Sequence, residues 1–133
     1  MTEKILQWQE DMIRLFGFYA HYVVADDASV NIHTHGCIES WQHPDLQIVL
    51  PIGVAADVIF NALIDRVKAG ERFAPGERAD LVLTETLSIV VAFIAAAEGQ
   101  RFVLRVILPD RQGRLDKGVM EAEYARQYSH KGV

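Results

Sequence analysis

Apolar residues recur at helical spacing near the start of the chain, at Ile5, Leu6, Trp8, Met12, Ile13 and Phe16. That period predicts a first helix, capped by Thr2 and stopped at Gly17, where glycine accepts the left-handed conformation on which helices end. The pattern then shortens. Aromatic and β-branched residues over 18–25, the turn-forming run Asp26, Asp27, Ala28, Ser29 and a second extended stretch over 30–35 predict a β-hairpin. A polar loop over 39–45 follows, in which Pro44 pushes His43 toward an extended backbone.

Residues 46–50 read as a short apolar strand ended by Pro51, and Gly53 opens a long helix that reaches Lys68, with Gly70 as its stop. Along this helix Ala55, Ala56, Ile59, Phe60, Leu63 and Val67 form an apolar arc suited to a sheet, opposite Asp57, Asn61, Asp65 and Lys68. Arg66 projects into the arc, so its guanidinium must reach solvent or meet a carboxylate or carbonyl. Beyond a charged loop carrying Pro75 and Gly76, residues 81–83 suggest a short strand. The run 88–97 is apolar throughout: Ile89, Val90, Val91 and Phe93 favour a strand, while Ala95, Ala96 and Ala97 leave a helix open. Glu98, Gly99 and Gln100 then make a hairpin connection to a strand over 101–108, and residues 110–114 form a turn. Asp116 is the expected cap of a last helix with Met120, Tyr124 and Tyr128 on one side, and 129–133 reads as a loose tail. These elements predict one α+β domain over residues 1–133, a mainly antiparallel sheet packed against helices.

Composition narrows the partners. A net charge of −5 argues against a nucleic-acid backbone binder, which gathers a basic surplus on one face. The longest apolar run, 89–97, is too short to span a bilayer, and the N-terminus has no secretory pattern, so the expected location is the cytoplasm. Cys37 is the only cysteine and has no internal disulfide partner, which fits a reducing compartment.

The ordered string of motifs resembles a family. The run HPDLQIVLPIGVAADVIFNALIDRVKAGERFAPGE, followed by LRVILPDRQGRL, is similar to the small bacterial domains of the DUF4262 family, a domain of unknown function. The matching positions include His43, Pro44, Pro51, Asn61, Arg66, Gly70, Arg72, Gly76, Pro109, Asp110 and Arg114, and the likeness extends from Gly17 to Leu115. It implies a fold and a bacterial source but no activity. The family's Tyr-Thr-x-Gly-Leu-like segment is replaced here by Asn31, Ile32, His33, Thr34, His35, Gly36 and Cys37, so the histidines belong to this chain and not to the resemblance.

Those histidines are the first candidate for chemistry. His33 and His35 are two apart and share a strand face, and pairing across the hairpin sets His21 beside them. Three imidazoles on one patch suit zinc or another first-row divalent metal with a position left for water. The plainer alternative is a solvated or hydrogen-bonded polar face. Arg66 and Arg105, each in an apolar setting, are candidates for binding an anion, against internal pairing with the chain's own acids. Cys37 lies near His35 and His43, which offer a base, although a small buried thiol is the more ordinary role. Phe60 and Ile64, with Trp41 and Tyr22, could make an apolar patch for a homo-oligomer, or else core. The sequence therefore predicts a binding or protein-interaction module. The enzymatic alternative is a metal-dependent hydrolase with Glu39 as the base for a bound water.

Overall fold

A computed structural model describes residues 2–25 and 29–130. Its sheet has six strands in the order β1 (Tyr19–Val24), β2 (Val30–His35), β3 (Asp45–Ile48), β6 (Arg101–Ile107), β5 (Ser88–Glu98) and β4 (Arg78–Val82). All pairings are antiparallel except β3 with β6, so the domain is α+β with a mainly antiparallel sheet, as the sequence predicts. Two antiparallel meanders, β1–β2–β3 and β4–β5–β6, meet along one parallel seam. Register is continuous across it: His33 pairs with Gln47, Gln47 with Arg105, and Arg105 with Ile94. With side chains alternating between faces, these four share one side of the sheet.

The other side carries α3 (Val54–Lys68), which buries Ala56, Ile59, Phe60, Leu63, Ile64 and Val67. They pack with Ile32, Leu46, Ile48, Leu81, Val91, Phe93, Leu104 and Val106 in the main core. Phe60 and Ile64, expected at an exposed association patch, are 0% and 1% exposed and belong to that core. The sheet under α3 is wide, so its buried arc takes in Ile64, which the helical pattern alone placed beside the polar stripe. Tyr22 is also engaged, its hydroxyl donating to Asp57 Oδ1 at 2.8 Å.

Helix α1 (Glu3–Phe16) is capped as predicted: Thr2 Oγ1 accepts the Ile5 N–H, and Gly17 closes the helix at φ +87°. None of its residues is fully buried. Where a loop was expected, residues Cys37–Trp41 form a short helix, α2. Its start is set by Gly36 at φ +107°, where a side chain would collide with the Gly17 carbonyl, and by Asp45 Oδ1, which accepts the Cys37 N–H at 3.0 Å. The ambiguous run 88–97 is strand β5. The turn residues 26–28 lie outside the described chain, but Val24 pairs with Val30 and the Ala25 N–H donates to Ser29, closing the hairpin.

The predicted last helix is shorter and begins later, as α4 (Ala122–Ala125) followed by a 3-10 turn over Arg126–Tyr128. Asp116 does not cap it; its carboxylate pairs with Arg78 and its carbonyl closes a turn onto Val119 and Met120. Asp110 organises this segment instead, accepting N–H bonds from Gln112, Arg114 and Glu121, and these hold its carboxyl low, at about 2, against the opposing effect of burial. Of the expected tail, 131–133 lies outside the described residues. Among the described residues no helix is long and apolar enough to cross a membrane.

Candidate metal centre

The hairpin delivers the three histidines to one spot. His21 is directly opposite His33, and His35 lies two residues further along β2, all on the face away from α3. Ring centroids are 5.1 Å apart for His21 and His33, 4.8 Å for His33 and His35, and 5.9 Å for His21 and His35. One ligating atom from each lies within 4.8 Å of the others. Tyr19 stacks on His35 at 5.0 Å, and Trp8 of α1 meets Tyr19 edge-on at 5.4 Å, so the first helix walls one side.

His33 is the buried member, at 0% exposure. Its tautomer follows from a chain of hydrogen bonds that begins two strands away. Arg105 can only donate, so the Gln47 amide turns its oxygen to Arg105 Nε, at 2.7 Å. The Gln47 nitrogen then donates to Asn31 Oδ1 at 3.0 Å. That same oxygen lies 3.0 Å from His33 Nδ1, which must be the protonated nitrogen. Nε2 therefore carries a lone pair. It is buried, has no hydrogen-bond partner among the described residues and stands 3.7 Å from Glu98 Oε1.

An imidazole lone pair facing a carboxylate oxygen is a pair of acceptors, which a proton or a cation between them would satisfy. A proton is one answer. Burial opposes it, pushing His33 down to about 4 in spite of the raising influence of Glu98. Burial likewise lowers His35, with Arg101 acting in the same direction. Both shifts favour the neutral ring, the form in which imidazole binds metal. Arg101 is held by Asp45, Glu98 and the Thr34 carbonyl, so carboxylates oppose its positive charge at the rim.

The acid beside the histidines is Glu98, from the β5–β6 hairpin, and Glu39 is an exposed residue of α2. Cys37 lies in the core on the α3 side, its thiol pushed well up by burial and by Asp45, which removes it as a neutral-pH nucleophile. His43 is fully used: Nδ1 donates to the Pro44 carbonyl at 2.8 Å and Nε2 accepts the Phe73 N–H at 3.1 Å, tying two loops together. Arg66 is paired internally, with both Glu71 oxygens and the Asp80 carbonyl, and lies over the Phe73 ring. Arg105 stands apart, buried with neutral partners. Sequence reasoning named the histidines and missed Asn31, Gln47, Arg101 and Glu98. The signal that could have found Asn31 is the alternation of β2, which puts it two residues from His33 on the same face; the others join the site only through long-range pairing.

Fold and site together define a small α+β domain with a polar cluster built across two meanders on the sheet face opposite its main helix. The sequence profile of DUF4262, a domain of unknown function, matches residues 12–116, and the chain belongs to that family. No curated protein and no solved structure matches it.

Proposed function

We propose that the domain is a metal-binding module, holding a first-row divalent cation such as zinc through His21, His33 and His35, with Glu98 as the fourth ligand. The observation that carries this reading is the buried His33 Nε2, without a hydrogen-bond partner among the described residues and aimed at a carboxylate 3.7 Å away. Two ligands of a tetrahedral zinc are separated by about 3.4 Å, so that pair is nearly in place, and the exposed His21 supplies the movement needed to close the set. Asn31 behind His33 is the outer partner such a ligand needs. Three imidazoles and a carboxylate complete a closed coordination shell, which favours binding over a hydrolase with an open position.

Untagged protein, purified without chelator, is expected to bind one equivalent of zinc by titration calorimetry and elemental analysis. Binding should vanish in His33→Ala and weaken in Glu98→Gln; retention of full affinity in both would sink the reading. An additional interaction role is favoured by α1, where Leu6, Leu15 and Phe16 are 47%, 64% and 55% exposed. Sedimentation of the wild type against Leu6→Glu tests it, and identical monomer masses would remove α1 from any homo-oligomer contact.

A further inference from the structure

Arg105 is the most buried arginine among the described residues, and its pairing differs from that of arginines nearer solvent. Arg66, Arg78, Arg111 and Arg114, with side chains 34%, 55%, 71% and 40% exposed, each hold a carboxylate. Arg105 is 3% exposed and, among the described residues, holds none. Its Nε–H donates to the Gln47 amide oxygen at 2.7 Å and its Nη1–H to the Gln127 backbone carbonyl at 2.8 Å, both neutral acceptors. Nη2 makes no hydrogen bond to any described residue. A guanidinium stays charged at any physiological pH, and a buried charge is tolerated when it is paired. The fold spends a buried cation here and leaves its outer nitrogen unanswered.

A groove of about 300 Å³ opens at this point, its lining including Arg105, Ile94, Ala96, Tyr128, Ser129 and His130. Ile94 pairs with Arg105 in the ladder and Ala96 follows two residues on, so both side chains stand on the guanidinium's face. The short Ala96 side chain leaves room that a larger residue would fill. Tyr128 does not compete for the cation, because its hydroxyl is committed to the Leu115 carbonyl. The groove thus sets one buried cationic donor beside the apolar side chains of Ile94 and Ala96, with Ser129 and His130 as its other polar lining.

From this we propose that Arg105 anchors a small carboxylate ligand in the groove between β5 and the Tyr128–Ser129 segment, with the ligand's short hydrocarbon body against Ile94 and Ala96. A carboxylate fits better than an inorganic phosphate, which would bring more acceptor oxygens than one guanidinium nitrogen can serve and no apolar part for the wall. The groove shares no ligating residue with the proposed metal site, although Arg105 is linked to His33 through Gln47 and Asn31.

The test is a titration of isotopically labelled, metal-free protein with hexanoate, with hexanol and inorganic phosphate as comparison probes, followed by amide NMR. Hexanoate should give saturable shifts centred on Ala96, Arg105 and Gln127, and hexanol of the same length should not. Ala96→Leu, which fills the groove and leaves Arg105 and its partners alone, should weaken hexanoate by at least about tenfold, as should Arg105→Lys. Equal binding of hexanol would reduce the groove to an apolar cleft, phosphate binding without hexanoate would remove the carboxylate class, and no saturable shift from any probe would overturn the site. His33→Ala should leave hexanoate binding unchanged while abolishing zinc binding, so the two sites fail separately.

Discussion

Arg105 Nε lies 2.7 Å from Gln47 Oε1 across the parallel seam, and the consequence of that contact is felt at His33. A residue that only donates decides which way round the Gln47 amide sits. The amide in turn decides which Asn31 atom is an acceptor, and Asn31 decides which nitrogen of His33 keeps its proton. Each side chain in the series is buried, so none can exchange its partner for bulk water.

Replacing Gln47 with leucine should therefore cost more than an ordinary polar deletion. It strands the Arg105 Nε–H and removes a donor from Asn31, for an expected loss of roughly 2–4 kcal/mol in urea unfolding. Imidazole nitrogen shifts should show His33 redistributing its proton between Nδ1 and Nε2. A loss below about 1 kcal/mol with an unmoved tautomer would mean that the series does not act as a unit.

Acid should destabilise the metal-free protein within a defined window. The folded His33 titrates at about 4 because it is buried, and its unfolded counterpart near 6.5. Between those values the unfolded chain binds more protons, so stability falls as pH drops through the window and is level above it. The expected loss is roughly 1–2 kcal/mol, smaller than the full shift implies because neighbouring charges and solvent at the rim screen the imidazolium. His33→Gln should flatten this limb of the stability curve; an unchanged slope would place the acid sensitivity elsewhere.

Cys37 should be inert in the native protein. It is 1% exposed, and burial pushes its thiol upward. A disulfide reagent at pH near about 8 should react only at the rate of unfolding, and at once in denaturant. Rapid native labelling would contradict the packing of α2 against the core.

Ile64 distinguishes core from contact surface. At 1% exposure within the main core, Ile64→Ala should lower unfolding free energy by about 2–4 kcal/mol without altering mass in solution. A stable variant with a changed oligomeric state would return Ile64 to an interface.

The sequence was most legible where a single period governs a segment. The alternation over β1 and β2 placed His21, His33 and His35 together, because strand period and hairpin pairing are local properties. The long apolar arc of α3 was visible for the same reason. Helix α2 was not, since a five-residue helix has too little periodicity to announce itself and depends on Gly36 and on Asp45 further along the chain. The C-terminal helix was overextended because Met120, Tyr124 and Tyr128 share helical spacing, whereas Asp110 reaches forward to Glu121 and delays the start. Glu98 looked like part of a turn. Only the pairing of β3 with β6 carries it toward a histidine from the first half of the chain.

That pairing gives the domain a line of division. His21, His33 and His35 all come from the first meander, while Glu98, Arg101 and Arg105 come from the second. Along the line the side-chain ties include Arg101 with Asp45, Arg105 with Gln47, and the near approach of His33 to Glu98. A cation seated between His33 and Glu98 would act as a clasp, fastening halves that are contiguous in neither sequence nor synthesis. Its arrival would be read in the exchange of β3 and β6 amide hydrogens with solvent, slowed along the join and little changed at the outer edges of either half.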